Sequence, residues 1–271
     1  LNATWIDGKP GEALSLSDRG LHYGDGLFET LPVSVSRLAL LDLHLERLRE
    51  GCTRLGFAAP EEELLRRELA AAAAGQKRAV LKLMVTRGSG GRGYRPPGEA
   101  RVTRILLRYA WPDYPQAWQE TGVALRVCKT RLGTNPVLAG LKHLNRLEQV
   151  MARSEWPEND PFQEGLMLDG EGAVIEGTMT NVFCSPAEGR LLTPDLSRAG
   201  VAGVMRRHLL QAAENAGVRV EIRRLTLDEL LDQREVFVCN SIIGVWPVSL
   251  IGGHAYPIGP LTRLAQGWSQ E

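Results

Sequence analysis

Residues 26–55, GLFETLPVSVSRLALLDLHLERLREGCTRL, change periodicity partway along. Up to Leu41 they are rich in Leu and Val and predict a strand, a turn and a second strand. From there Leu41, Leu45, Leu48, Cys52 and Leu55 recur at steps of four and three. That spacing places them on one face of an amphipathic helix ending near Gly56. Strands that give way to a helix of their own, without strict alternation, point to an α+β arrangement.

The segments on either side extend this reading. Upstream, TWIDGKP (4–10) has short extended runs around Asp-Gly and predicts a hairpin. Downstream, a second helix rich in Ala, Leu and Glu is expected from about Pro60 to Ala74, stopping at Gly75. AVLKLMVTRG and RVTRILLRYA follow as strands around a loop, GSGGRGYRPPGEA (88–100), read as flexible. WPDYPQAW (111–118) is the expected linker, stiffened by its prolines, between an N-terminal domain (1–110) and a C-terminal domain (119–271). In the second half GVALRVCKT reads as a strand and a helix follows Lys142. GLMLDGEGAVIEGTMTNVFCS and EVFVCNSIIGVWPVSLIGG read as further strands. Residues 201–217 predict a helix closed by Gly217, with Val201, Val204, His208 and Ala212 on one face.

Composition removes several function classes. With 271 residues the chain can bury a substantial core, and its 32 Lys plus Arg balance 32 Asp plus Glu, so no basic field exists to hold nucleic acid or an anionic membrane. Cys52, Cys128, Cys184 and Cys239 are scattered, with no CxxC pair, which suits a reducing cytoplasm. LNATWIDGKP lacks a basic start followed by an apolar stretch, and no later run approaches a membrane span, so a cytoplasmic protein is expected. The five histidines show no metal-binding spacing, and no metal site is expected. GSGGRGY lacks the Lys-Ser/Thr of a P-loop and does not fit GxGxxG between strand and helix.

Four segments remain, each with an ordinary explanation of its own. Lys142, in LAGLKHLNRLEQVMARSE (138–155), could be a solvated lysine at a helix start. Glu176, in EGTMTNVF (176–183), could be a hairpin carboxylate. TPDLSRAGVAGVMRR (193–207) delivers small residues to a helix N-terminus, where free N–H groups attract anions, but every helix has such an end. Arg47, in LHLERLRE (43–50), lies off the apolar stripe and could simply be solvated.

Together, however, GDGLFET, HLERL, the Lys142 segment, EGTMTNVF, AGVAGVMR and EVFVCNS occur in the order found in fold-type IV pyridoxal-phosphate enzymes, and the chain resembles that family from its first hairpin to about Pro247. Within the family, RGSGGRGY (87–94) and LAGLKHLNRLEQV resemble the aminodeoxychorismate lyases. The resemblance implies two α/β domains with pyridoxal 5'-phosphate between them, the C-terminal one carrying most of the contacts, and a homodimer. It implies Lys142 as the Schiff-base lysine and Glu176 as the carboxylate beside the pyridine nitrogen. Arg47 and the backbone N–H groups of Val204 and Met205 after Gly203 become the phosphate ligands. Asn240 and Ser241 fall near the phosphate or the substrate carboxylate, and Asn145 toward the phenolic oxygen. The implied reaction converts 4-amino-4-deoxychorismate to 4-aminobenzoate and pyruvate. Arg92, Tyr94 and Phe28 are the candidates for substrate contact.

An aminotransferase of the same fold needs the same lysine, glutamate and phosphate ligands. The substrate pocket separates the two readings, since D-amino-acid transaminases resemble this chain but carry a tyrosine where Phe28 stands. A noncatalytic nucleotide-binding protein using GSGGRG with Arg87, Arg92 and Arg95 is the reading from another class, and it leaves the other segments unexplained.

Overall fold

The structure is a computed structural model that describes residues 1–186 and 189–270. The chain divides into two compact units. One comprises Leu1–Asp113 together with Leu141–Asn145, the other Tyr114–Gly140 and the chain from Arg146 onward.

The first unit runs β1 (Ala3–Ile6), β2 (Lys9–Pro10), α1 (Arg19–Tyr23), β3 (Gly26–Ser34), β4 (Arg37–Leu38), α2 (Leu41–Leu55), α3 (Glu62–Ala73), β5 (Arg78–Thr86) and β6 (Thr103–Ala110). Its strands form one antiparallel sheet in the order β2-β1-β6-β5-β3-β4. Asp7 and Gly8 both take positive φ, as a type I′ turn requires, so the Asp-Gly hairpin forms as the sequence predicts. The next hairpin uses Val35 and Ser36 at positive φ, a strained choice for a β-branched residue, held by their N–H groups donating to the carbonyls of Lys77 and Gln76. Helix α2 buries Leu45, Leu48 and Cys52, the centre of the predicted stripe. Leu41 and Leu55 are only half-buried because they lie at its ends. Gly51 lets α2 approach β3 closely: a Cβ there would sit 2.7 Å from a Leu27 methyl.

The second unit runs α4 (Ala117–Glu120), β7 (Val123–Leu132), α5 (Leu147–Arg153), β8 (Glu164–Asp169), β9 (Ala173–Gly177), β10 (Asn181–Ser185), β11 (Leu191–Pro194), α6 (Val204–Asn215), β12 (Val220–Arg223), β13 (Leu225–Thr226), α7 (Leu227–Leu231), β14 (Glu235–Asn240), β15 (Gly244–Ile251), β16 (His254–Ala255) and α8 (Pro260–Trp268). The sheet order is β12-β11-β10-β14-β15-β7-β8-β9-β13, with β16 on β15. The β7–β8, β7–β15 and β11–β12 pairs are parallel. Every residue of β8, β9, β10 and β11 is buried, which explains why these strands read as apolar runs rather than alternating ones.

Two expectations need adjusting. Helix α6 starts at Val204, so Val201 lies before it, and the buried face is Val204, Met205, Leu209 and Ala213. The predicted face was rotated because His208 and Ala212 were counted inward, and both are only half-buried. Residues 111–118 are not simply extended chain. Ala117 opens α4, and the Tyr114 and Trp118 rings meet Trp246 edge-on at 4.9 and 5.0 Å.

Candidate active site

In the first unit Lys142 is positioned by β3. The Phe28 N–H donates to the Lys142 carbonyl at 2.9 Å and the Leu144 N–H to that of Gly26 at 3.0 Å, so the segment lies along the start of that strand. The Lys142 Nζ stands 4.3 Å from the centre of the Phe28 ring, and Lys82 Nζ approaches the same ring at 5.1 Å. Phe28 is thus a platform for two amines rather than a donor to a carboxylate. Burial pushes the Lys82 ammonium below its ordinary range. Asn145 is engaged locally: its Nδ2 donates to the Gly24 carbonyl at 3.2 Å, and a Cβ on Gly24, at φ +63, would collide with it.

Arg47 is not a solvated surface arginine. Its Nε donates to Glu29 Oε1 at 2.8 Å and its Nη2 to Oε2, while His44 Nδ1 meets Oε2 at 2.6 Å. Glu29 and His44 are buried and Arg47 nearly so. Burial alone would raise the Glu29 pKa, but the Arg47 charge and the hydrogen bonds from His44 and Arg47 outweigh it and hold the carboxyl at about 2.

The Gly-rich loop is tied down within its own unit. The Arg19 guanidinium donates to the carbonyls of Gly93 and Tyr94, each at 3.0 Å, and to Asp25 at 2.8 Å. Arg87 shares Asp25 and also donates to the carbonyls of Leu55 and Gly56. Arg87 is therefore committed to the fold, which removes one of the three cations of the nucleotide-binding reading. Tyr94 is 85% exposed with its ring against Tyr23, and Arg92 is exposed.

In the second unit Glu176, buried near the end of β9, accepts the Val201 N–H at 2.8 Å. The Val201 carbonyl accepts from Asn181 Nδ2 at 2.9 Å, and Val201 also bridges to Gly140. Val201 thus fixes the turn leading into α6 against the strand that carries Glu176. The turn needs its glycines: Gly200 sits at φ +84, and a Cβ on Gly203 would lie 2.0 Å from Asn181 Oδ1. Gly203 caps α6 with no side-chain bond, and no acidic residue occupies the first turn of the helix, where the N–H groups of Val204 and Met205 lie.

Two residues that sequence reasoning missed support this region. Arg146 is half-buried, and its desolvation lowers its pKa while the charges of Glu176 and Glu148 act to raise it; its place in KHLNR was the available signal. Glu164, fully buried, accepts from the N–H groups of Thr178 and Met179 and the hydroxyls of Thr178 and Thr180, organising the turn after Glu176. Asn240 extends this order, accepting from the N–H groups of Ile242 and Ile243 and donating to the Met179 carbonyl, with Ser241 in the turn it braces.

Each unit carries groups of the kinds that pyridoxal phosphate requires: in the first a half-buried amine and a paired arginine, in the second a buried carboxylate and a helix start capped by glycine without a side-chain bond. The glycine at position 203 lets the turn pack against the Asn181 side chain, whose Oδ1 lies where a Cβ would sit. The fold and these groups define a pyridoxal-phosphate enzyme of fold type IV.

Comparison with known proteins agrees. Residues 26–251 match the family model for amino-transferase class IV. The chain is 40% identical to an aminodeoxychorismate lyase of Vibrio harveyi over 97% of its length and 98% of that protein. It is 30% identical to a D-alanine aminotransferase of Bacillus licheniformis over 94% of its length and 89% of that protein. Among solved structures it resembles the 4-amino-4-deoxychorismate lyase of Pseudomonas aeruginosa, with a TM-score of 0.93 and 50% identity, covering 97% of each chain. The chain belongs to the class IV aminotransferase family.

Proposed function

We propose that the chain is an aminodeoxychorismate lyase, converting 4-amino-4-deoxychorismate to 4-aminobenzoate and pyruvate. The observation that carries this reading is its near-full-length similarity, at 40% and 50% identity, to two proteins of that name, set against 30% to the aminotransferase. Pyridoxal 5'-phosphate, when bound, supplies an aldehyde for the substrate amine and a ring that accepts electrons. Lys142 Nζ is the amine that would carry the cofactor and, once the substrate amine has displaced it, would take the proton from the substrate carbon bearing nitrogen. The ring C–O bond then breaks with its electron pair leaving on oxygen as enolpyruvate, which takes a proton at its methylene carbon to become pyruvate, and the ring left behind is aromatic. Glu176 holds a proton on the pyridine nitrogen. The Arg47 guanidinium and the N–H groups of Val204 and Met205 receive the phosphate. Asn240 and Ser241 lie toward the phosphate or the substrate carboxylate and Asn145 toward the phenolic oxygen, and Arg92 and Tyr94 are the exposed groups offered to substrate.

The second reading, an aminotransferase, is disfavoured by Phe28, whose ring stands against the Lys142 and Lys82 amines and has no hydroxyl to bind a carboxylate. We further infer a homodimer in the cytoplasm. Leu147, Val150 and Met151, exposed at helical spacing on α5, support the dimer. No helix among the described residues is long and apolar enough to cross a membrane, and they contain no cluster suited to a metal ion.

Turnover with 4-amino-4-deoxychorismate beside a panel of amino acids and 2-oxo acids tests the reading. Release of 4-aminobenzoate and pyruvate in equal amounts is expected, and efficient amino transfer without it would overturn the proposal.

A further inference from the structure

The buried Glu29–His44–Arg47 cluster is the group in this molecule whose arrangement exceeds what its fold needs. α2 could pack on β3 through Leu45, Leu48 and Cys52 alone, yet the same interface buries a carboxylate, an imidazole and most of a guanidinium. Such a cluster persists only when its members satisfy one another, because an unpaired charge there is costly.

Its geometry is directional. His44 and Arg47 are three residues apart on α2 and both reach Glu29 on β3. Arg47 donates through Nε and Nη2 to the two carboxylate oxygens, which fixes the plane of the guanidinium. His44 Nε2 is buried with no partner, so the proton shared with Glu29 belongs on Nδ1. A proton on Nε2 would be a buried donor without an acceptor. His44 therefore donates to Glu29 and fixes the orientation of that carboxylate.

We propose that Glu29 and His44 are positioning residues for Arg47, fixing its guanidinium so that it discriminates a phosphorylated cofactor from the same ring without phosphate. This rests on the reading of Arg47 as a phosphate ligand. A paired arginine keeps full charge but loses rotamer freedom, so less entropy is lost when the phosphate binds. Glu29 reduces the local positive charge, and the device therefore supplies orientation rather than field strength.

The test is a ratio of affinities, measured on apoprotein by cofactor fluorescence or absorbance, for pyridoxal 5'-phosphate and for pyridoxal. A variant that merely weakens the fold loses both affinities together and leaves their ratio unchanged. Arg47→Ala tests the underlying reading: an unchanged ratio would show that Arg47 does not bind the phosphate. Given a fall with Arg47→Ala, Glu29→Gln is expected to cut the ratio by about tenfold, equivalent to about 1.4 kcal/mol. His44→Gln, the milder change, should cut it by roughly threefold, and it serves alone should Glu29→Gln fail to fold. A wild-type ratio in whichever of these two variants folds, beside a lowered ratio in Arg47→Ala, would overturn the positioning role while leaving Arg47 as a phosphate ligand.

Discussion

Replacing Glu176 by Gln keeps its shape and its acceptor for the Val201 N–H while removing one negative charge. Held beside a pyridine nitrogen, that charge is what retains the proton. Turnover should fall about a hundredfold, near 3 kcal/mol of transition-state stabilisation, with cofactor still bound. Normal turnover and a normal visible spectrum would return Glu176 to a purely structural role. Lys142→Ala should abolish turnover and the fixing of cofactor by borohydride. Peptide mapping of the wild-type protein should find the label at Lys142 and not at Lys82, the other amine on the Phe28 ring. Glu29 makes a pH prediction. Its carboxyl is held at about 2 against an ordinary 4.5, so its stabilisation is complete above pH 4.5 and is lost as pH falls toward 2. Acid titrations of wild type and Glu29→Gln should differ by ~3 kcal/mol near neutrality and converge at the acid end. At this scale the sequence singled out Lys142, Glu176 and Arg47 through their motifs. It hid the partners of Arg47, because Glu29 reaches Arg47 only once α2 lies on β3 and no local spacing encodes that packing.

Elements were read best where a backbone demand selects a residue type. Asp-Gly announced the first hairpin and Gly56 the end of α2, where it takes φ +71. The Val35-Ser36 turn was invisible because its residues are poor at positive φ and are held there by the carbonyls of Lys77 and Gln76. The Gly-rich loop read as flexible because composition could not show Arg19 reaching it. Arg19→Ala should therefore expose the backbone at residues 93–95, and limited proteolysis should cut there faster than in wild type. The start of α6 carries a second prediction. Alanine tolerates the φ of −65 at position 203, yet its Cβ would displace Asn181 and break that residue's bond to Val201. Gly203→Ala should keep the fold, visible as near-native circular dichroism, and weaken cofactor binding about tenfold or more by equilibrium titration. Wild-type affinity would remove this turn from the phosphate site.

At the scale of the whole molecule, the four cysteines that read as reduced thiols are all free and buried, and burial pushes each thiol up to about 12. A thiol reagent at mild alkaline pH should leave the native protein almost unlabelled and modify all four in denaturant. Sedimentation tests the dimer, and Met151→Glu, which puts a charge on the exposed α5 stripe, should shift it toward monomer. The Pro-rich change of texture near residue 111 is what suggested two domains in the sequence. What sequence could not show was that Leu141–Asn145 belongs with the first body while its neighbours on both sides belong to the second. That excursion makes the first unit a borrower. Its sheet lacks the backbone partners of Gly26 and Phe28 until residues 142–144 have been made, after the rest of the unit up to Asp113. The first unit therefore cannot be inherited or transplanted as a cassette ending at Asp113, since the piece left behind carries the backbone partners of its third strand, and Lys142 with them.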